Sequence, residues 1–217
     1  GVRSERAYGT DLLDGVRRAG FEPTALVRVR DVADDDESLD PVERASAAEI
    51  AARAAAEGTE LDPAPSSVAI ARYSDNRVYA LSQADGPRLD VVVLDGDRQV
   101  IGVLTRLWRS LRLRGIDGRS AISLRAVAER AALLAYAAQA AGVRSPRLLG
   151  LAEADDSMLL IQEHPVGTMP LRDVPTEKLT DPVLREAWRQ LEIAHAAGLA
   201  HRQVTADVLL LGTTDDG

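Results

Sequence analysis

Apolar positions recur along this chain in two rhythms. Leu12, Leu13 and Val16 fall at helical spacing over residues 10–19, and Gly20 follows as a stop. Residues 24–30, TALVRVR, alternate apolar and charged side chains, the period of a half-buried strand. Residues 41–57 are rich in Ala, Glu and Arg. With Asp40 as N-cap and Pro41 at the first position, they read as a helix whose apolar face is mostly alanine. Pro63 to Ser67 reads as a linker. Three strands are predicted next, at 68–73, 77–83 and 88–94. Ser74-Asp75-Asn76 and Ala84-Asp85-Gly86-Pro87 join them as an antiparallel meander. A helix over 97–113 carries Val100, Val103, Leu104, Leu107, Trp108 and Leu111, and a second runs from Ser123 to Ala141 and stops at Gly142. Strands at 147–153 and 157–163 flank the turn Ala154-Asp155-Asp156. A helix over 181–197 opens on Asp181 as N-cap with Pro182 and closes at Gly198. The chain then turns from His201 into the apolar strand Val208–Leu211. Strands, helices, strands and a long helix in that order predict an α+β fold.

Composition narrows what this fold can do. At 46% hydrophobic and 28% charged residues, the 217-residue chain can build a substantial core. Aromatics are only 3%, so Ala, Leu, Val and Ile must fill that core. The absence of cysteine excludes disulfides, thiolate metal sites and cysteine nucleophiles. A net charge of −8 argues against nucleic acid as a partner. The run Asp34-Asp35-Asp36-Glu37 reads as solvated surface. No stretch approaches the ~20 apolar residues of a membrane span, and no secretory signal is visible. The start at Gly1-Val2-Arg3 and the loop-like end at Gly217 read as those of a piece cut from a longer protein. The chain has no Gly-x-Ser-x-Gly elbow, no phosphate-binding Gly-Lys-Ser/Thr and no His-Glu-x-x-His. Its histidines, His164, His195 and His201, lack metal-ligand spacing.

From residue 68 onward the order of elements resembles the small lobe of a protein kinase and the opening of its large lobe. RLDVVVL at 88–94 is similar to the third strand of that lobe, and residues 123–141 to its C helix. MLLIQE at 158–163 is similar to the fifth strand, and His164-Pro165-Val166-Gly167 to the hinge. The segment His195-Ala-Ala-Gly198-Leu-Ala-His201-Arg202-Gln203, followed by Asp207-Val208-Leu209-Leu210, resembles a kinase helix end and catalytic loop. In kinases that loop reads His-Arg-Asp, four residues, an asparagine and a strand. A narrower resemblance lies in Leu94 to Arg114, 131–134 and 142–149. It is to the cytosolic kinase-like domains of actinobacterial-type lysylphosphatidylglycerol synthase transmembrane, or flippase-like, proteins. The resemblance implies an N-terminal αβ extension at 1–62, a small lobe and hinge at 63–166, and the start of a large lobe at 167–217. The strand at 24–30 belongs either to the extension or to the small-lobe sheet.

Phosphoryl transfer is mainly positioning and charge stabilisation around Mg-ATP. The parts that the resemblance places in this chain are replaced. Ser74-Asp75-Asn76-Arg77 stands where a Gly-rich loop would join the first two strands, and it adds a negative charge. Val92 stands at the place of the phosphate-binding lysine, and Ala131 at that of its glutamate partner, with Glu129 on another helical face. Gln203 replaces the catalytic aspartate and has no charge with which to act as a base. Val208 replaces the metal-binding asparagine, with Asp207 beside it.

The resemblance therefore implies a pseudokinase module with a regulatory or scaffolding role, as part of a larger membrane protein at the cytoplasmic face. Its partner would be a protein or its own membrane domain. No metal or cofactor is expected beyond weak ATP contact through hinge groups at Glu163, His164 and Val166. The alternative is a divergent ATP-dependent phosphotransferase that recruits its ligands from elsewhere, for which Lys178 is the single lysine. A third reading, an adaptor that never binds nucleotide, would show as side chains filling the cleft. Arg106, Arg109, Arg112 and Arg114 form a basic stretch whose positions 106, 109 and 112 drift along one side of the 97–113 helix, either as a contact for anionic lipid or as a solvated face. His201 is expected to be structural and His195 to sit at a helix end. His164 is expected to be exposed, and Trp108 and Trp188 to fill core space.

Overall fold

In the computed structural model the described residues are 9–29, 65–74, 76–95, 124–199 and 204–212. Helix α1 (Gly9–Arg18) buries Leu12 and Val16, one helical turn apart, against the sheet. It ends at Gly20, whose φ of 93° lets the amides of Gly20 and Phe21 reach back to the carbonyls of Arg17 and Val16. The later helices close at Gly142 and Gly198 in the same way.

Strand β1 (Pro23–Val29) pairs antiparallel with β2 (Arg77–Gln83), and β2 pairs with β3 (Leu89–Asp95). After helix α3 (Leu124–Ala140), the hairpin β4 (Leu148–Ala154) and β5 (Ser157–Glu163) completes a five-stranded sheet in the order β1-β2-β3-β5-β4. Every pair of neighbouring strands in this sheet is antiparallel. β3 lies at its centre and is buried at every residue. A short ribbon pairs β6 (Thr168–Pro170) with β7 (Leu210–Gly212), and helix α4 (Asp181–Ala196) lies between them in the chain.

The architecture is α+β, with four α-helices among the described residues. Two apolar layers flank the sheet. On one face Leu12 and Val16 of α1 meet Tyr79, Leu81, Val91, Val93, Leu159 and Ile161. On the other, Val78, Val92, Leu94, Met158 and Leu160 meet α3 through Ala128, Ala131 and Ala132. The alternation along β3 sends Val91 and Val93 to one layer and Val92 and Leu94 to the other.

One element differs in kind from its expectation. Residues 68–73, predicted as a strand, belong to helix α2 (Pro65–Ser74), which also takes in the end of the predicted linker. The stretch VAIARY satisfies a period of two, but its burial follows the helix: Ser67, Ile70 and Ser74 are buried and fall on one face. Pro65 opens the helix with φ already fixed. β1 takes the place beside β2 that 68–73 was expected to fill, so the N-terminal extension is joined to the sheet. Ser74 to Arg77 consequently links a helix to a strand instead of joining two strands. α4 has Thr180 rather than Asp181 at its N-cap, with no side-chain cap bond. The predicted helices at 41–57 and 97–113, with Trp108, Arg106, Arg109, Arg112 and Arg114, lie outside the described residues.

Candidate functional site

Helix α2 touches both the sheet, on the face that carries Val92, and the β6–β7 ribbon. It packs on β2 and β1 of the sheet and on β6 of the ribbon. Ile70 enters the same apolar cluster as Val92 and Ala131. The positions assigned by resemblance to a lysine and its glutamate partner are thus brought into one layer, as two apolar side chains buried to 4% and 1% exposure. Glu129 is exposed and pairs with Arg125 at 2.9 Å on its own helix. Tyr73 of α2 flanks the cluster, and burial pushes its phenol up to about 12.

Polar contacts at both ends hold α2 in place. At its N-terminal end, the Ser67 hydroxyl donates to Asp90 Oδ1 at 2.9 Å and accepts from Arg88 Nη2 at 2.9 Å. Asp90 is fully buried and faces His164 Nδ1 at 3.0 Å. A carboxylate without solvent needs such partners, and these supply them. At the other end, Arg72 spans two floor carboxylates: Asp207 Oδ1 at 2.9 Å and Asp173 Oδ2 at 3.5 Å. Arg172 also approaches Asp207, at 3.4 Å. The backbone sets this up, since Leu171 and Arg172 donate to the carbonyls of Leu209 and Ala206.

Ser67, His164 and Asp90 have the composition of a hydrolytic triad but not its geometry. Ser67 Oγ and Asp90 Oδ2 approach the same ring nitrogen of His164, at 3.3 and 3.0 Å, and the hydroxyl donates to the carboxylate directly. A general base needs one nitrogen for the nucleophile and the other for the orienting acid. This cluster is therefore a structural tie, not a nucleophile.

The residues that the resemblance assigns to a hinge are also committed. The Glu163 amide donates to the Arg147 carbonyl at 2.9 Å, and its carboxylate accepts from Arg147 Nε at 2.6 Å. The Arg147 guanidinium holds that carboxyl below its ordinary value. His164, expected to be exposed, turns inward to Asp90 with a side chain only 6% accessible. Pro165 has no amide to offer, and its carbonyl accepts from Thr168 Oγ1 at 2.7 Å. Val166 is 77% exposed.

Val208 is half-buried beside Asp207, whose carboxylate already faces two arginines. Gln203 and His201 lie outside the described residues. Lys178 is exposed on the turn Thr176–Lys178. Trp188 is 65% exposed and does not fill core space, and His195 is exposed at the end of α4. Among the described residues, no group of three or more His, Asp or Glu side chains is placed to hold a metal ion. No helix among them is long and apolar enough to cross a membrane.

Sequence reasoning missed Asp90, Ser67 and Arg72. The available signal was Asp90 itself, a charge inside the apolar run LDVVVL, which a central strand can hold only if it is paired. No family model matches the chain, and no curated protein matches it significantly.

Proposed function

We propose that the chain is a non-catalytic, kinase-like regulatory or scaffolding module whose nucleotide cleft is closed by its own helix α2. The observation that carries this reading is the seat of α2: Ile70 lies in the cluster that holds Val92 and Ala131, and Arg72 sits on Asp207. In a kinase, the space between the third strand, the hinge and the segment beyond it receives the nucleotide, and a lysine meets its phosphates there. Here that space holds a helix, and the lysine position is a buried valine. Of the readings open from the sequence, the adaptor that never binds nucleotide is the one a filled cleft supports. A role within a larger membrane protein follows from the sequence resemblance.

The test is transfer of the γ-phosphate of labelled ATP, with Mg²⁺ or Mn²⁺, to the chain itself, to a general protein acceptor and to water. The reading expects no turnover above the enzyme-free background. Metal-dependent transfer that survives repurification would return the divergent phosphotransferase to first place.

A further inference from the structure

We infer that the outward face of α4 is a contact surface for a second copy of this chain, joined antiparallel about a twofold axis at Trp188. Nothing in it depends on the closed cleft. Of the four helices among the described residues, α4 alone has no fully buried residue. Its inner side is held by polar ties, from Gln190 and Glu186 to Arg144. The opposite side carries Asp181, Leu184, Arg185, Trp188, Glu192 and His195, all exposed. Intervals of three and four residues put them on one stripe. Leu184 and Trp188, one turn apart near its middle, are its large apolar members. An aromatic and an aliphatic side chain rimmed by charge have the make-up of an interface core and its rim.

The order of charges sets what covers this face. The stripe is symmetric in spacing about Trp188: Asp181 and His195 lie seven residues to either side, and Leu184 and Glu192 four. In an antiparallel pair centred on the two tryptophans, each residue meets the position equally far on the other side of the centre. Asp181 then faces the partner's His195, whose ring can donate to it. Arg185 falls one residue, about 1.5 Å of rise, from opposition to the partner's Glu192. The twofold axis makes each contact twice. Like charges stay further out of register: Asp181 by three residues from the partner's Glu192, and Arg185 by four from the partner's His195. A parallel pair would set each charge against itself, so charge complementarity selects the antiparallel one. The two tryptophans meet at the axis, where offset stacking adds to the area they bury. Arg185 meets its own Asp181 only at 3.8 Å on the exposed surface, and Glu192 has no ion-pair partner among the described residues. The exposed pair Leu133 and Tyr136 on α3 has no such order, since Arg125 and Glu129 lie at one end of that helix and pair with each other.

The experiment is sedimentation equilibrium of the whole chain at low salt, up to about 1 mM, for wild type, Trp188→Ala, Arg185→Glu and Glu192→Arg. Wild type should show a reversible monomer–dimer equilibrium, a weak one because a single helix per copy lies at the small end of interfaces. Trp188→Ala should raise the dissociation constant about tenfold or more. Arg185→Glu and Glu192→Arg should each weaken the dimer alone, and an equimolar mixture of the two should restore it. Only the mixed pair sets opposite charges face to face at both contacts. All three positions are exposed, so circular dichroism should show each variant folded as wild type is. Wild type that stays monomeric overturns the inference and leaves the face to a different protein. A dimer that ignores Trp188→Ala overturns it too, as does a mixture that associates no better than its components. ATP binding would bear on the closed cleft alone and leaves these outcomes as they are.

Discussion

Val92 shows how one side chain decides what a cleft can do. A lysine there would emerge into the layer formed by Ala128, Ala131, Leu160 and Ile70, with no carboxylate among those side chains. Val92→Lys is therefore predicted to cost about 3–5 kcal/mol in urea unfolding, the range for an uncompensated buried charge, and Ala131→Glu in the same chain to recover part of it. A Val92→Lys variant as stable as wild type would mean that position 92 is open to solvent. The apolar character of this position was legible in the run VVVL. The fate of His164 was not, because it depends on Asp90, 74 residues earlier in the chain. Local pattern carries no information on which charge a distant histidine will meet.

At the scale of elements, turns and stops were the readable features. Gly20, Gly142 and Gly198 end helices as expected, because a positive-φ cap is a local demand that glycine meets. α2 was misread because its alanines satisfy both helical and strand periods. Only the packing between sheet and ribbon decides between them. α1 depends on a close approach: a Cβ on Gly15 would stand 2.9 Å from Leu159 Cδ1 and 3.1 Å from Ala154 Cβ, both fully buried. Gly15→Val should lose about 1–3 kcal/mol by denaturant titration, the usual cost of overpacking. An unchanged midpoint would show that α1 is not seated there. α4 is tied to the loop before β4 by polar contacts: the Arg144 amide donates to Gln190 at 2.8 Å, and its guanidinium faces Glu186 at 3.7 Å. Hydrogen bonds from Arg189 and Gln190 hold the Glu186 carboxyl down at about 2. Because the folded value lies below the ordinary 4.5, this contribution is present above pH 4.5 and lost as pH falls toward 2. A carboxyl NMR titration should place Glu186 near the lower value at low salt, moving up as salt screens the cluster. A midpoint at 4.5 in dilute buffer would show that the cluster does not form.

For the whole molecule, the α+β class and the β2–β3 and β4–β5 pairings followed from sequence, since each is set by a pattern and a short turn. The joining of residues 23–29 to the sheet and the seat of α2 did not, since both are contacts across long separations. On the kinase-like reading proposed above, those two features fill the space where a nucleotide would lie. The most direct test is a thermal-shift titration of the chain with ATP, with and without Mg²⁺ or Mn²⁺. With α2 seated, and with Val92 and Pro165 at the places that the proposed kinase-like reading gives to the lysine and the hinge, the melting temperature is predicted to stay unchanged up to millimolar nucleotide in either condition. A saturable, metal-dependent rise would contradict the account, because ligand binding to the folded state alone must stabilise it.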